Sequence, residues 1–263
     1  MMPDEAIGAL VAARLARRRA GDPPLILGLC GAQGSGKSTI AARLCEQFAR
    51  SAVLSLDDLY RTRAERARLA RDIHPLLATR GVPGTHDVDL GIATIAAIRR
   101  GERVALPRFD KAADDRKAVE NWPAAPADCA LLIFEGWCVG ARLQAEADLT
   151  APLNRLEAEE DAAGVWRRHV NAALGRDYPP LFGLVDLLVL MTPPDWTTVL
   201  RWRSEQEAAL RRTGGEGEGV MDAAALARFV SHYERLTRHI GAEMPSRADL
   251  WLRQRADRSV ATP

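Results

Sequence analysis

Hydrophobic residues are concentrated in short runs, separated by longer stretches in which apolar positions follow a helical period. The runs occupy residues 25–30, 52–56, 130–134 and 184–190, and a weaker run at 249–252 is surrounded by polar residues. Runs this short and this apolar are typical of strands that are buried on both faces of a parallel sheet. With helical segments between them, they indicate βαβ units. The pattern therefore predicts an α/β fold, a three-layer doubly wound parallel sheet with helices on both faces.

The segment before the first run, residues 1–22, has a pattern of its own. Apolar residues recur at helical spacing from about Pro3 to Ala20, and Gly21 with two prolines shortly after it ends the pattern. This predicts an N-terminal helix. No internal repeat divides the chain, and we expect residues 1–263 to form a single domain.

Two segments interrupt the alternation of strands and helices within residues 79–126. Residues 79–89 contain glycine and proline, and residues 107–126 combine charges with prolines. We expect both to be loops on the substrate side of the molecule, because binding residues are often carried by loops on a rigid frame. The glycine-rich residues 214–219 cannot build a core and lie between two helical stretches, so they predict a mobile connection in a lid region, 195–221.

Composition excludes several classes of function. The 36 Lys and Arg residues nearly balance the 35 Asp and Glu residues, which leaves a formal charge of +1 and no global field for nucleic acid or an anionic membrane. No apolar run approaches the roughly 18 residues of a membrane span. We therefore expect neither a nucleic-acid partner nor a membrane, and the sequence does not indicate an oligomeric state.

The four cysteines suggest a reducing compartment. They lack the paired close spacings of a zinc site, and a chain of 263 residues does not need disulfides for its stability. The N-terminal residues also lack a continuous apolar stretch of the kind found in secretion signals. We expect reduced, mostly buried thiols and a cytoplasmic location. The cysteines are Cys30, Cys45, Cys129 and Cys138.

A glycine-rich loop directly follows the first apolar run and leads into helical spacing. The segment fits Gly-x-x-x-x-Gly-Lys-Ser, the Walker A pattern, in which backbone N–H groups converge on a phosphate beside a helix N-terminus. Lys37 would neutralise the β- and γ-phosphate oxygens, and the hydroxyl of Ser38 would be a ligand of Mg²⁺. The predicted triphosphate-binding residues are Gly31, Gln33, Gly34, Ser35, Gly36, Lys37, Ser38 and Thr39.

Three acidic residues follow predicted strands, where ligands of open α/β sheets bind. Asp57 is the candidate that accepts the proton of a substrate hydroxyl, and the alternative for it is a helix N-cap. For Asp58 we favour the N-cap. Glu135 ends an apolar strand in the manner of a Walker B acid that holds Mg²⁺, and the alternative is a solvated carboxylate at a strand end.

Arginines precede the glycine-rich run. A phosphotransfer lid needs guanidinium groups, since negative charge spreads over the γ-phosphoryl oxygens in the transition state and water must be kept out. Arginines on a helix can equally form a solvated face. The candidates are Arg201, Arg203, Arg211 and Arg212, of which the first two are our predicted catalytic residues.

Several blocks in this order resemble the D-glycerate 3-kinase family of P-loop kinases, and the same parts recur more distantly in uridine and pantothenate kinases. The resemblance runs from about Leu25 to Leu252. It rests on the Walker A loop, SLDDLY at 55–60, RGVPGTHD at 80–87, LPRFDK at 106–111, FEGW at 134–137, RWRSEQE at 201–207 and FVSHY at 229–233.

This resemblance implies a P-loop kinase fold with a helical lid, and an enzyme that uses ATP and Mg²⁺ to phosphorylate a small hydroxy acid. It implies that Asp57 occupies the position of the family's general base and that Glu135 occupies the position of the family's acidic residue. A carboxylate substrate needs fixed cations, and arginine suits bidentate capture. The acceptor pocket implied by the family consists of Asp57, Tyr60, Arg80, His86, Arg108, Asp110, Lys111 and Arg116. By its residue type alone, His86 could equally be a packed histidine.

Two further alternatives stay open from the sequence. The acceptor could be a nucleoside, pantothenate or another sugar acid, and the segment between Lys111 and Asp115 is shorter than in related kinases on this presumed acceptor side. The chain could also be a nucleotide-dependent switch or assembly factor. The sequence lacks the Asn/Thr-Lys-x-Asp guanine motif, which favours ATP, and the paired acceptor-side segments favour a kinase.

Overall fold

The sheet has the parallel architecture that the hydrophobic runs predict. The computed structural model describes residues 2–19, 21–212 and 221–261. Its strands in this part of the chain are β1 (Leu25–Gly31), β2 (Ser51–Ser55), β3 (Phe109–Asp110), β4 (Asp115–Arg116), β5 (Leu131–Gly136), β6 (Leu187–Thr192) and β7 (Leu250–Arg253). Five of them form one parallel sheet in the order β2-β5-β1-β6-β7, whereas β3 and β4 form a separate antiparallel hairpin.

Helices cover both faces of this sheet. Those described are α1 (Pro3–Leu15), α2 (Lys37–Gln47), α3 (Arg63–Asp72), α4 (Val88–Arg99), α5 (Arg155–Glu160), α6 (Val165–Arg176), α7 (Pro179–Phe182), α8 (Trp196–Arg212) and α9 (Ala223–Glu243). Local sequence begins several of them. Thr62 and Glu65 form a capping box at α3, and the Asp222 carboxylate accepts a hydrogen bond from Ala225 N at α9.

The alternation of side chains along each strand divides the core into two clusters. On one face, Leu27, Ile133 and Val189 pack with apolar residues of α1 and α2. On the other face, Phe134 and Leu190 pack with residues of α4, α7 and α9. Because both faces are buried, the strands read as continuous apolar runs. The predicted three-layer α/β fold is confirmed.

Element boundaries differ from the sequence predictions in three places. The N-terminal helix ends at Leu15, the last of its residues that pack on the core, whereas helical spacing predicted it to about Ala20, which lies outside the described residues. The fourth strand begins at Leu187 and not at residue 184, because the chain turns between Leu181 and Asp186. Residues 107–126 contain the β3–β4 hairpin and are not loop throughout. The predicted mobile run at 214–219 lies outside the described residues.

The structure shows the state of the four cysteines and the apolar character of the helices. Cys30, Cys129 and Cys138 are buried and Cys45 is half-buried, and all four thiols are free, as predicted. Among the helices of the described residues, none combines the length and the apolar character needed to cross a membrane.

A buried ion pair anchors the helical segment between β5 and β6. Arg167 Nη1 lies 3.0 Å from Asp161 Oδ2, and both side chains are 1% exposed. Asp161 also accepts hydrogen bonds from the backbone N–H groups of Trp166 and Arg167, and the Arg167 guanidinium donates to Leu149 O. Removal of one partner would leave the other charge buried without compensation, which is strongly destabilising.

We expect Asp161→Ala to lower the free energy of unfolding by about 3–5 kcal/mol, because Arg167 would lose its buried counter-charge. Urea unfolding followed by circular dichroism measures the change. Arg14→Gln is the matched control, since Arg14 and Asp249 form an ion pair at 3.7 Å with side chains 43% and 38% exposed. The control should change stability by less than about 1 kcal/mol. Equal effects of the two substitutions would contradict the assignment.

Candidate active site

A large cavity lies at the carboxyl ends of the parallel strands, between the glycine loop and helices α8 and α9. Its volume is about 820 Å³, within the range of ligand sites in proteins. Sheet register explains its position, since Glu135 of β5 lies beside Ser55 of β2 and Leu29 of β1. The residues that follow these strands therefore meet at one edge, where open α/β sheets bind ligands.

The glycine loop connects β1 to α2 in the conformation that a phosphate cradle requires. Gly34 and Gly36 have φ angles of 75° and 90°, which favour glycine, and Gly36 is the N-cap of α2. Lys37 Nζ donates to Ala32 O at 3.1 Å across the loop. The buried polar atoms of the Gln33 and Ser35 side chains make no hydrogen bond within the described part of the chain. These features fit a loop that binds an oxygen-rich ligand.

Not every predicted loop residue lies on the cavity wall. Gln33, Gly34, Lys37 and Ser38 line it, whereas the other four predicted residues are not part of its lining: Gly31, Ser35, Gly36 and Thr39. A Cβ atom at Gly31 would lie 2.9 Å from Ser35 Oγ, so close packing there requires glycine.

Ser38 and Glu135 form a pair of oxygen donors beneath the loop. Ser38 Oγ donates to Glu135 Oε1 at 3.2 Å, and the Glu135 residue is 5% exposed. Burial raises the pKa of Glu135, although the charge of Lys37 opposes this. A hydroxyl and a buried carboxylate suit a hard divalent cation, which would offset the unfavourable burial of negative charge. The residues present therefore fit Mg²⁺.

Asp57 lies just beyond β2, with both carboxylate oxygens engaged. Tyr60 Oη donates to Oδ1 at 2.7 Å, and Lys111 Nζ donates to Oδ2 at 2.7 Å. Burial raises the pKa of Asp57, but the charge and hydrogen bond of Lys111, the Tyr60 hydrogen bond and the charge of Lys37 together lower it to about 2. Asp57 does not cap the following 3₁₀ turn, Leu56–Leu59, because Ser55 accepts the hydrogen bond from Asp57 N.

The N-cap prediction for Asp58 is wrong. Its carboxylate accepts hydrogen bonds from Phe109 N at 2.9 Å and from Arg108 Nη1 at 3.2 Å, whereas Ser55 caps the turn. Burial raises the pKa of Asp58, against the Phe109 hydrogen bond and the charge of Arg108. Asp58 therefore holds the start of the β3–β4 hairpin against the end of β2.

That hairpin carries Lys111 into the cavity, and three cations define the resulting wall. Arg80 forms an ion pair with Asp114 in the hairpin turn and lies over the Phe109 ring, 5.6 Å from its centroid. The wall consists of Arg80, Arg108 and Lys111, which line the same cavity as the glycine loop. The short segment between Lys111 and Asp115 makes a tight turn, which Asp110 stabilises by accepting hydrogen bonds from Ala112 N and Ala113 N.

Three residues predicted for the acceptor pocket lie outside the cavity wall. His86 is 1% exposed, hydrogen-bonds Tyr178 Oη through Nδ1 at 2.6 Å and stacks on Tyr60. Burial lowers the pKa of His86 to about 3, so the ring is neutral. Asp110 stabilises the hairpin turn, and Arg116 donates to Asp87 and to Tyr60 O. The structure places His86 and Arg116 as supports of Tyr60.

The two predicted lid arginines on α8 point in different directions. Arg203 lines the cavity, where it pairs with Glu207 at 3.1 Å and lies over Phe229 of α9. Arg201 donates to Ala256 O and lies outside the cavity wall. The side chains of Arg211 and Arg212 lie outside the described residues.

Sequence reasoning did not single out several residues that complete the cavity. Trp137, which follows Glu135 by two positions, donates through Nε1 to Gly81 O, and Tyr233 of α9 donates to Arg80 O. Both lie on the cavity wall, with Gln206 and Phe229. Trp137 and Tyr233 lie in two of the sequence segments that resemble the family, 134–137 and 229–233, so the resemblance could have indicated them. Their hydrogen bonds, however, are with residues far away in the sequence.

The C-terminal segment supports the glycine loop from outside the cavity. Arg258 Nε donates to Gly34 O at 2.7 Å, and Gln254 Nε2 donates to Ser35 O at 2.9 Å. The Arg258 guanidinium also pairs with Glu205 and lies over Trp202 of α8. The two contacts with the glycine loop join residues 224 and 219 positions apart, and no local pattern in the sequence indicates them. The Arg258 contacts couple the glycine loop to helix α8.

Comparisons with known proteins agree with this geometry. A family model described as an AAA domain matches residues 26–106. A kinase of Schizosaccharomyces pombe is 35% identical over 224 residues, which cover 80% of this chain and 78% of the relative. The chloroplastic D-glycerate 3-kinase of Arabidopsis thaliana is 30% identical over 244 residues, 86% of this chain, and the chain spans only about half of that relative, 51%.

Among solved structures, D-glycerate 3-kinase from Cryptococcus neoformans superposes with a TM-score of 0.80 at 25% identity, over 98% of this chain and 97% of that one. The glycine loop, the neighbouring strand-end acid and the cavity under two helices, together with these relatives, identify the chain as a P-loop kinase of small molecules. The chain belongs to the D-glycerate 3-kinase family of P-loop kinases. Its glycine loop is accordingly a site for a nucleoside triphosphate.

We expect Arg258→Ala to weaken ATP binding by about tenfold, because the carbonyl of Gly34 would lose a charge-assisted hydrogen bond that holds the loop in shape. Titration calorimetry measures the dissociation constant. Arg255→Ala is the matched control, since that exposed arginine lies three positions earlier in the same segment. An unchanged dissociation constant in Arg258→Ala would show that the loop keeps its shape without this contact.

Proposed function

We propose that this protein transfers the γ-phosphoryl group of ATP to a hydroxyl of D-glycerate in a reaction that requires Mg²⁺. One observation carries the proposal: the Asp57 carboxylate pairs with Lys111 and lines one cavity together with the phosphate-binding loop and a wall of three cations. Such a wall suits an acceptor that carries both a hydroxyl and a carboxylate. The names of the Arabidopsis and Cryptococcus relatives give the same acceptor.

Each side of the cavity has a distinct role in this proposal. On the nucleotide side, backbone N–H groups of the loop and Lys37 bind the triphosphate and stabilise charge on the γ-phosphoryl oxygens. Ser38 and Glu135 would hold Mg²⁺, which neutralises phosphate charge when bound. On the acceptor side, Arg80, Arg108 and Lys111 bind the carboxylate and place the hydroxyl beside Asp57. Asp57 then orients the hydroxyl and accepts its proton.

Helices α8 and α9 form the remaining wall and exclude water from the γ-phosphoryl group. Arg203 is the lid arginine that the cavity geometry supports, because it is the one of the two predicted candidates that lines the cavity. The Arg203 guanidinium pairs with Glu207 in this structure, and it would have to contact the phosphate oxygens as well. We also propose the cytoplasm as the compartment, which the four free cysteines support.

A coupled assay of ADP release over a panel of small hydroxylated compounds tests the acceptor. We expect D-glycerate to give the highest kcat/KM, with lower values for other hydroxy acids and the lowest for nucleosides and pantothenate. Mass spectrometry of the product identifies the phosphorylated position. A higher kcat/KM for a nucleoside, or ATP hydrolysis that no acceptor stimulates, would reject glycerate as the substrate.

Replacement of Asp57 by Asn should lower kcat by about two to four decades while ATP still binds, as expected when a general base is lost. Steady-state kinetics and titration calorimetry measure the two quantities. Asp89→Asn on the exposed face of α4 is the control for removal of a surface carboxylate. Full turnover in Asp57→Asn would remove Asp57 from the mechanism.

A further inference from the structure

The three cations of the cavity wall, which the proposed function assigns to the acceptor, are each paired with a carboxylate in this structure. Arg80 pairs with Asp114, Arg108 with Asp58, and Lys111 with Asp57. An incoming carboxylate must therefore share or replace one of these partners. The ion pair that breaks most easily therefore determines which other groups in the site change their contacts when the acceptor binds.

Lys111 is the cation that can move at the lowest cost. The guanidinium groups of Arg80 and Arg108 each have a second contact, to Lys111 O and Pro107 O respectively. Their partners Asp114 and Asp58 also fix the hairpin, through hydrogen bonds with Arg66 and Phe109 N. Lys111 Nζ donates to Asp57, its one hydrogen-bond partner in the described chain, and its side chain is 60% exposed. A flexible stem with a single ion pair can redirect its ammonium group without disturbing the hairpin.

The partner of Lys111 is the carboxylate that the reaction needs as a base. In the pair, Oδ2 of Asp57 is occupied by Lys111 and Oδ1 by Tyr60. These contacts hold the pKa of Asp57 at about 2, and a carboxylate of such low basicity is a poor proton acceptor near neutral pH. Departure of Lys111 would free Oδ2, while Tyr60 would keep the carboxylate oriented through Oδ1.

We propose that the acceptor's own carboxylate draws Lys111 away from Asp57, so that recognition of an acid releases the catalytic base. This inference rests on the proposed function, because it assumes an acidic acceptor. Lys111 thereby acts as a positioning residue that makes turnover, and not only binding, depend on the negative charge of the acceptor.

The step that follows is an ordinary phosphoryl transfer. The acceptor oxygen forms a bond to the γ-phosphorus, and its proton passes to Oδ2 of Asp57. The bond from the γ-phosphorus to the β–γ bridging oxygen breaks, and its electron pair leaves with ADP. With water as acceptor, the same exchange yields inorganic phosphate. A carboxylate that lacks a hydroxyl should therefore stimulate hydrolysis of ATP.

The first test compares D-glycerate with its neutral amide, D-glyceramide, in the wild type and in Lys111→Ala. In the wild type, kcat for the amide should be at least about tenfold below that for the acid, since the base stays paired. In Lys111→Ala, KM for the acid should rise by about tenfold or more, while kcat for the amide should increase above its wild-type value. Lys111→Arg should restore the preference for the acid in part, and Lys117→Ala, at an exposed lysine of the same segment, is the control.

An increase in kcat for the neutral substrate would support the exchange, because a merely structural lysine would not inhibit turnover. A fall in kcat for both substrates by the same factor would overturn it. Failure of the wild type to phosphorylate D-glycerate would instead reject the proposed function.

The second test does not depend on the identity of the acceptor. ATP hydrolysis is measured without acceptor, with millimolar propionate and with millimolar propionamide. Propionate should stimulate hydrolysis by the wild type about tenfold, as expected for release of a general base. Propionamide should have no effect. Lys111→Ala should hydrolyse ATP faster than the wild type and should not respond to propionate. Equal rates with propionate and propionamide in the wild type would overturn the exchange, whichever acceptor the enzyme uses.

Discussion

The pairing of β5 between β1 and β2 is the constraint on which the site depends. Parallel register brings Glu135 beside Ser55 and next to the strand that enters the glycine loop. The glycine loop, Glu135 and the candidate base Asp57 therefore share one edge of the sheet, although they come from three separate parts of the chain. Two apolar clusters bury both faces of these strands and hold the register fixed.

Electrostatic pairing organises the remainder of the cavity. Arg80, Arg108 and Lys111 each form an ion pair with a carboxylate. These ion pairs join loop segments that lie far apart in the sequence. Two of these carboxylates also give the β3–β4 hairpin a defined position, since Asp58 accepts a hydrogen bond from Phe109 N at its start and Asp114 in its turn pairs with Arg66 of α3. A cavity built this way is ordered by charged groups that a bound anion could also contact.

Supports from outside the cavity determine how accurately its groups are placed. His86 lies below Tyr60, and Tyr60 orients Asp57. Arg258 and Gln254 fix carbonyl groups of the glycine loop. Histidine and arginine in a family block are readily assigned to a ligand from their chemistry alone. The structure instead assigns His86 to packing, because it is buried, neutral and directed at Tyr178.

The amino-acid sequence by itself determined the elements whose signals are local. Apolar runs specified the parallel strands, and the spacing of Gly31, Gly36 and Lys37 specified the glycine loop, since these signals depend on neighbouring residues. The tertiary structure alone decided which polar and charged groups from distant parts of the chain meet. Asp57 with Lys111 and Gly34 with Arg258 are separated by 54 and 224 positions, and the sign of a charge does not reveal its partner. Strand register and the position of the hairpin bring those partners together. The contacts that form the cavity wall therefore follow only from the three-dimensional structure.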